Sequence, residues 1–127
     1  MPKVLYLLFA ILLITSCGSD DDTDIFVPLE IQTQEDFVQV STLQTISIDI
    51  FANDTNIPAT GLLSVTSSSN GDVIINNNNT PQDTSDDVLE YDPAVNFVGT
   101  DTLQYTICLQ DGTNCKTETI SIVVFQD

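Results

Sequence analysis

Residues 102–109 (TLQYTICL), 110–114 (QDGTN) and 115–125 (CKTETISIVVF) decide the fold of this chain. Leu103, Tyr105, Ile107 and Leu109 fall on one side of the first segment, and Ile120, Ile122 and Val124 on one side of the last. Apolar residues recurring every second position mark half-buried strands, because successive side chains of a strand point to opposite faces. Asp111-Gly112 between them predicts a type I′ turn. That centre sets Gln110 opposite Thr113, Cys108 opposite Cys115 and Leu103 opposite Ile120. A hydrogen-bonded pair has Cα atoms about 5.5 Å apart, inside the window for a disulfide. A bridge across so small a loop is worth roughly 2–2.5 kcal/mol in chain entropy. A free thiol pair is the alternative; a metal or redox pair lacks any further soft ligand nearby.

Working upstream, Val88–Tyr91 reads as a short strand ended by Asp92-Pro93, and residues 76–87, with four consecutive Asn, as a long mobile loop. Leu62–Ser67 and Asp72–Asn76 flank Ser69-Asn70-Gly71-Asp72, and an Asn-Gly step between two strand-like runs predicts a hairpin. Thr45–Phe51 places Ile46, Ile48 and Ile50 on one face, with Ser47 and Asp49 on the other. Phe37–Val40 is a further strand. The tally is about seven strands with turn signals every 8–12 residues and no helical period, which predicts an antiparallel β-sandwich.

Several of these segments resemble a known family. Residues 48–54 (IDIFAND) are similar to the "V-D-V-L-A-N-D" opening of bacterial Ig-like, cadherin-like repeats. Residues 89–93 (LEYDP), 96–101 (NFVGTD), Leu103, Tyr105 and Ile107 resemble the "Y-x-P … N-F-x-G-x-D-x-F-x-Y-x-V" signature of the same repeats, with Leu103 in place of Phe. Cys108 and Cys115 match a disulfide-bearing variant. The resemblance covers about Thr45 to Val124. It implies an all-β, Ig-like sandwich, a fold that serves mostly as spacer or binding scaffold.

The N-terminal region has a different character. Lys3 precedes an apolar run of eleven residues, Val4–Ile14. Spanning a bilayer takes about 20 residues, so the run is a signal-peptide core rather than a stable anchor. Ile14-Thr15-Ser16-Cys17 resembles the lipobox of bacterial lipoproteins, which implies removal of residues 1–16 and lipid (diacylglyceryl and palmitate-type acyl chains) on Cys17. Residues 18–24 (GSDDDTD) cannot fold alone and form an acidic tether, with the linker drawn as 17–35 and the sandwich as 36–127. Ser-Asp-Asp-Asp behind the cysteine is similar to the surface-export signal of Bacteroidetes lipoproteins, implying an outer-membrane protein facing the cell exterior.

Composition narrows the chemistry. Acidic residues number 19 against two basic ones, for a net charge of −17. Loss of Lys3 with the signal leaves Lys116 alone, at −18. Such a surface repels nucleic acid. There is no His, which removes the commonest general base and most zinc sites. Glu90 and Asp92 are the one carboxylate pair to weigh for glycoside hydrolysis, but at i and i+2 they share a strand face without a cleft. No catalytic residue is assigned. Hard oxygen ligands for calcium are available in Asp49, Asp54, Asp92 and Asp101, with Asp86 and Asp87 nearby in the long loop. The expectation is a non-enzymatic, lipid-anchored surface module, an accessory subunit with a protein partner in the outer membrane, or else an adhesion or glycan-binding domain stabilised by calcium. The loops 53–60 and 76–87 are its expected binding elements.

Overall fold

The computed structural model describes residues 29–127. The segment 1–16, Cys17 and the acidic run 18–24 lie outside the described residues. Seven strands follow: β1 (Asp36–Ser41), β2 (Ile46–Ile48), β3 (Leu62–Val65), β4 (Gly71–Asn76), β5 (Val88–Pro93), β6 (Gly99–Cys108) and β7 (Lys116–Phe125), with one 3₁₀ turn at Thr84–Asp86. They form two sheets, β1-β7-β6-β3 and β2-β5-β4. The all-β, Ig-like sandwich expected from the sequence is the observed architecture.

β6 and β7 form the longest ladder, and its register sets Leu103 opposite Ile120 as the alternation requires. Tyr105, Ile107, Ile120 and Ile122 are fully buried against Ile50, Leu89 and Tyr91 of the other layer. Phe51 meets the Tyr105 ring edge-on, with centroids 5.9 Å apart, a favoured aromatic geometry.

Local chemistry departs from expectation at several points. The β6–β7 connection is not a type I′ turn: Asp111 does not adopt positive φ, whereas Gly112 (78°) and Asn114 (50°) do. The Gly112 N–H donates to Leu109 O at 2.8 Å and the Leu109 N–H to Thr113 O at 2.9 Å. This is a type I turn closed by a glycine bulge, and Asn114 restores the register beyond it. Cys108 lies one position outside the closing Leu109–Thr113 pair, and its Cα is 4.0 Å from that of Cys115 in the disulfide. That is nearer the spacing of a non-hydrogen-bonded pair than the 5.5 Å expected.

Asn70-Gly71 is not a hairpin turn. β3 and β4 belong to different sheets, and neither Asn70 nor Gly71 has positive φ. The glycine is required for packing instead: a Cβ there would lie 2.6 Å from Asp92 O and 2.7 Å from the Tyr91 ring. The strand expected over Thr45–Phe51 stops at Ile48, because the Asp49 carboxylate accepts the Phe51 N–H (3.3 Å) and turns the chain. β1 pairs parallel to β7, the one parallel pair of an otherwise antiparallel arrangement.

The sandwich also begins earlier than residue 36. Ile31 is a core residue, 2% exposed, and Gln32 bridges Thr55. Of residues 76–87, expected to be a mobile loop, Asn76 closes β4 and the remainder is tied down by hydrogen bonds. Asn78 Nδ2 donates to Asp86 O (2.5 Å), Thr80 Oγ1 to the Asp86 carboxylate (2.8 Å), and Thr84 Oγ1 to Gly61 O (2.8 Å).

Two consequences of strand direction matter for function. First, the connections β2–β3, β4–β5 and β6–β7 all lie at one end of the sandwich, where Glu30 forms an ion pair with Lys116 (2.7 Å). The chain therefore enters the domain at that end, and the connections β1–β2, β3–β4 and β5–β6 lie at the other. Second, the two outer faces differ in charge. Every charged residue of β1, β6 and β7 (Asp36, Asp101, Lys116 and Glu118) sits in the inward phase of its strand. The outward positions of β6 are Thr100, Thr102, Gln104 and Thr106; on β7, Thr117, Thr119 and Ser121 lead to Val123 and Phe125. The outer face of β2-β5-β4 instead presents Asp72, Glu90 and Asp92.

Candidate functional site

The acidic residues singled out for metal binding take part in hydrogen bonds of the fold. Asp101 is 2% exposed at the start of β6. Its carboxylate accepts from the Tyr91 phenol (2.8 Å), the Asn70 N–H (3.1 Å), the Thr102 N–H (2.9 Å) and the Ser68 hydroxyl. Burial pushes its pKa up, but the donors of Ser68, Tyr91, Thr102 and Asn70 outweigh that and hold it below the ordinary carboxylate value. Tyr91 belongs to the opposite sheet, so the pair stitches the layers together. Burial, with the Asp101 carboxylate beside it, raises the Tyr91 phenol above its usual range.

Asp54 plays a similar part at the other end. It accepts from the Tyr105 phenol (2.6 Å) and the Gln34 N–H (2.8 Å). Its carboxyl is pushed up by burial, partly offset by those two donors. Asp49 caps the turn at Phe51, and exposed Asp92 accepts from Thr45 Oγ1 at 3.2 Å. The structure thus brings Asp49 and Asp54 to one region but leaves Asp92 and Asp101 elsewhere. Among the described residues, no group of three His, Cys, Asp or Glu side chains is placed to hold a metal ion.

Asp36 escaped the sequence reading. It is 9% exposed, and its Oδ2 has no hydrogen-bond partner among the described residues. Burial pushes its pKa up to about 7, with the charges of Asp54 and Asp49 adding to the effect. Its phase was the available signal: Asp36, Val38 and Val40 alternate with Phe37 and Gln39, so a strand at 37–40 points Asp36 inward.

Glu90 and Asp92 share the outer face of β5, as expected, and Glu90 accepts from Asn76 Nδ2 (2.6 Å). Loops 53–60 and 76–87 do converge, through the Thr84 N–H on Ala59 O (2.6 Å). Beside them is an open cleft of about 360 Å³ lined by Leu63, Ile75, Asp83 and Asp87, among others. The Asp87 carboxyl is raised by burial and by the neighbouring charges of Asp86 and Asp83. This cleft lies at the end where the chain enters the domain. The opposite end carries exposed Leu43, Val95 and Val98.

The model of one family, described as a bacterial Ig domain, matches residues 21–123. The chain belongs to the bacterial Ig domain family. This is a non-catalytic fold family. No curated protein matches the chain. Among solved structures, a 2,6-sialyltransferase of Photobacterium sp. JT-ISH-224 aligns at 9% identity over 75% of this chain and 18% of its own, with TM-score 0.47. An endo-fucoidan hydrolase of glycoside hydrolase family 107 aligns at 13% identity over 74% of this chain and 13% of its own, with TM-score 0.44. A cysteine protease inhibitor of Entamoeba histolytica aligns at 15% identity over 74% of this chain and 88% of its own, with TM-score 0.39. The chain spans less than a fifth of either enzyme, and at these identities the alignments carry no statement about activity. The surfaces that this bacterial Ig domain presents include the entry-end cleft, the far-end loops and the outer sheet whose strands carry no outward charge.

Proposed function

We propose that this bacterial Ig domain is a non-enzymatic, lipid-anchored surface module, held at the outer membrane through Cys17 and facing the cell exterior. The observation that carries the reading is the position of the domain. The family match begins at residue 21, directly behind the Ile14-Thr15-Ser16-Cys17 motif, and runs to residue 123. One Ig module therefore follows that motif closely. The twelve-residue step from Cys17 to Leu29 can span at most about 40 Å, so the domain works close to its membrane. Its entry end, with loops 53–60 and 76–87, is the end joined to the tether, and the far end and sheet faces are the surfaces offered to a partner. An accessory role in an outer-membrane assembly is the form of the module that suits one short-tethered domain. Calcium is no part of the reading, because among the described residues Asp49, Asp54, Asp92 and Asp101 form no group of three side chains placed to hold a metal ion.

Metabolic labelling with an alkyne fatty acid tests the anchor. The full chain takes up label and sediments with outer membranes, and Cys17→Ala does neither while staying folded. Protease treatment of intact cells then digests the wild-type domain. A Cys17→Ala protein still labelled and membrane-bound would overturn the anchor, and a domain digested only after cell lysis would overturn its outward orientation.

A further inference from the structure

The outward positions of β1, β7, β6 and β3 carry no charged residue, in a chain that carries 19 acidic ones, and the nearest carboxylates, Glu35 and Asp127, flank the face just beyond the ends of β1 and β7. Ordinary solvent-facing sheets mix both signs of charge, and loss of charge from a patch is a mark of interface cores. Phe37 stands 75% exposed on it, and Phe125 42%. Gln39, Thr100, Thr102 and Gln104 are exposed there, and their side chains make no hydrogen bond to another described residue. Hydroxyl and amide groups both donate and accept. Adjacent strands put such groups about 4.8 Å apart across the sheet and about 6.7 Å apart along it.

We propose that this face is a binding site for an uncharged polysaccharide, an inference that rests on the surface-module reading above. Three features choose the occupant. A neutral polymer meets no repulsion from a domain near −18, whereas an acidic polymer or a second copy of the chain does. A basic partner is drawn to Asp72, Glu90 and Asp92 on the opposite face. Sugar rings combine hydroxyls, which match the unspent Thr and Gln side chains, with apolar C–H faces, which pack on exposed phenyl rings.

The test is native affinity electrophoresis of the full chain in mild detergent, in gels containing dextran, mannan, xylan or laminarin, with alginate as the acidic control. At least one neutral glycan retards the wild type, and alginate does not. Phe37→Ala and Thr102→Glu weaken that retardation at least tenfold in apparent affinity without changing the melting temperature, and Asp72→Asn on the opposite face leaves it intact. No retardation by any neutral glycan, retardation insensitive to Phe37 and Thr102, or a preference for alginate would overturn the proposal. So would a dimer in solution that Phe37→Ala dissociates, which would assign the face to a second copy. Fatty-acid labelling at Cys17 is independent of these outcomes, so a negative gel with intact labelling removes the glycan site and leaves the surface module standing.

Discussion

The Tyr91 phenol donates a 2.8 Å hydrogen bond to the Asp101 carboxylate across the two sheets of the sandwich. Both residues are buried, at 0% and 2% exposure. A charged acceptor in such a place is tolerable only because donors surround it. The pair therefore fixes how β5 and β6 face each other, and it recruits the β3–β4 crossover through Ser68 and Asn70.

Removing one donor should cost less than removing the acceptor. Tyr91→Phe leaves Asp101 its bonds from Ser68, Asn70 and Thr102, and a bond to a charged group is worth about 1.5–3 kcal/mol. The lower end applies, with a fall in Tm of about 6–12 °C for a domain of this size. Asp101→Ala strands a phenol, a hydroxyl and two N–H groups at once and should cost about 3 kcal/mol or more. Urea unfolding of the two variants ranks them, and equal costs would show that Asp101 is not the hub.

The two buried aspartates of this sheet should bend the pH–stability curve in opposite directions. Asp101, with its pKa lowered in the fold, contributes stability that is present above the unfolded value of about 3.9 and lost as pH falls below it. Asp36 is pushed up to about 7 by burial and by the facing carboxylates of Asp54, Asp49 and Glu118. The folded state then binds more protons than the unfolded state between about pH 4 and 7, so stability declines as pH rises through that window. Asp36→Asn should flatten the decline and raise Tm at pH 8 while leaving the acid limb in place. Melting curves from pH 3 to 8 check this, and an unchanged slope between pH 4 and 7 would clear Asp36 of the role.

These residues also show what a sequence can and cannot convey. The β6–β7 ladder was legible because its strict alternation leaves one register that buries Leu103 against Ile120. Asn70-Gly71 was misread because a turn signal is local, whereas Asn70 is committed to Asp101, 31 residues away. Gly71 is committed to the Tyr91 ring, 20 residues away. The calcium candidates illustrate the same limit. Acidic residues were visible in number, but whether a carboxylate faces water, a metal or a phenol depends on which strand lies opposite. The uncharged sheet face needed the strand order before its residues could be seen together.

Gly71 gives a direct test of that packing. An added Cβ would meet Asp92 O at 2.6 Å and the Tyr91 ring at 2.7 Å, and neither backbone nor a buried ring can yield cheaply. Gly71→Ala should therefore destabilise by about 3 kcal/mol, at the upper end for overpacking. Gly112→Ala meets no atom within 4 Å and pays only for its φ of +78°, about 1 kcal/mol. Comparable losses at the two sites would mean that Gly71 is a turn glycine after all.

The disulfide should stabilise the domain without defining it. Cys108 and Cys115 are seven residues apart, so the bridge closes a small loop worth about 2.5 kcal/mol on the chain-entropy estimate. The β6–β7 ladder continues through nine residue pairs beyond it, from Ile107–Lys116 to Gly99–Val124. Cys108→Ser/Cys115→Ser should accordingly lower Tm by about 10–20 °C yet unfold in one cooperative step. Its far-ultraviolet circular dichroism should match the wild type at 20 °C. The reduced wild-type protein should behave as the double variant does. A double variant already unfolded at 20 °C would make the bridge a condition of folding and would show that the ladder cannot hold the hairpin alone.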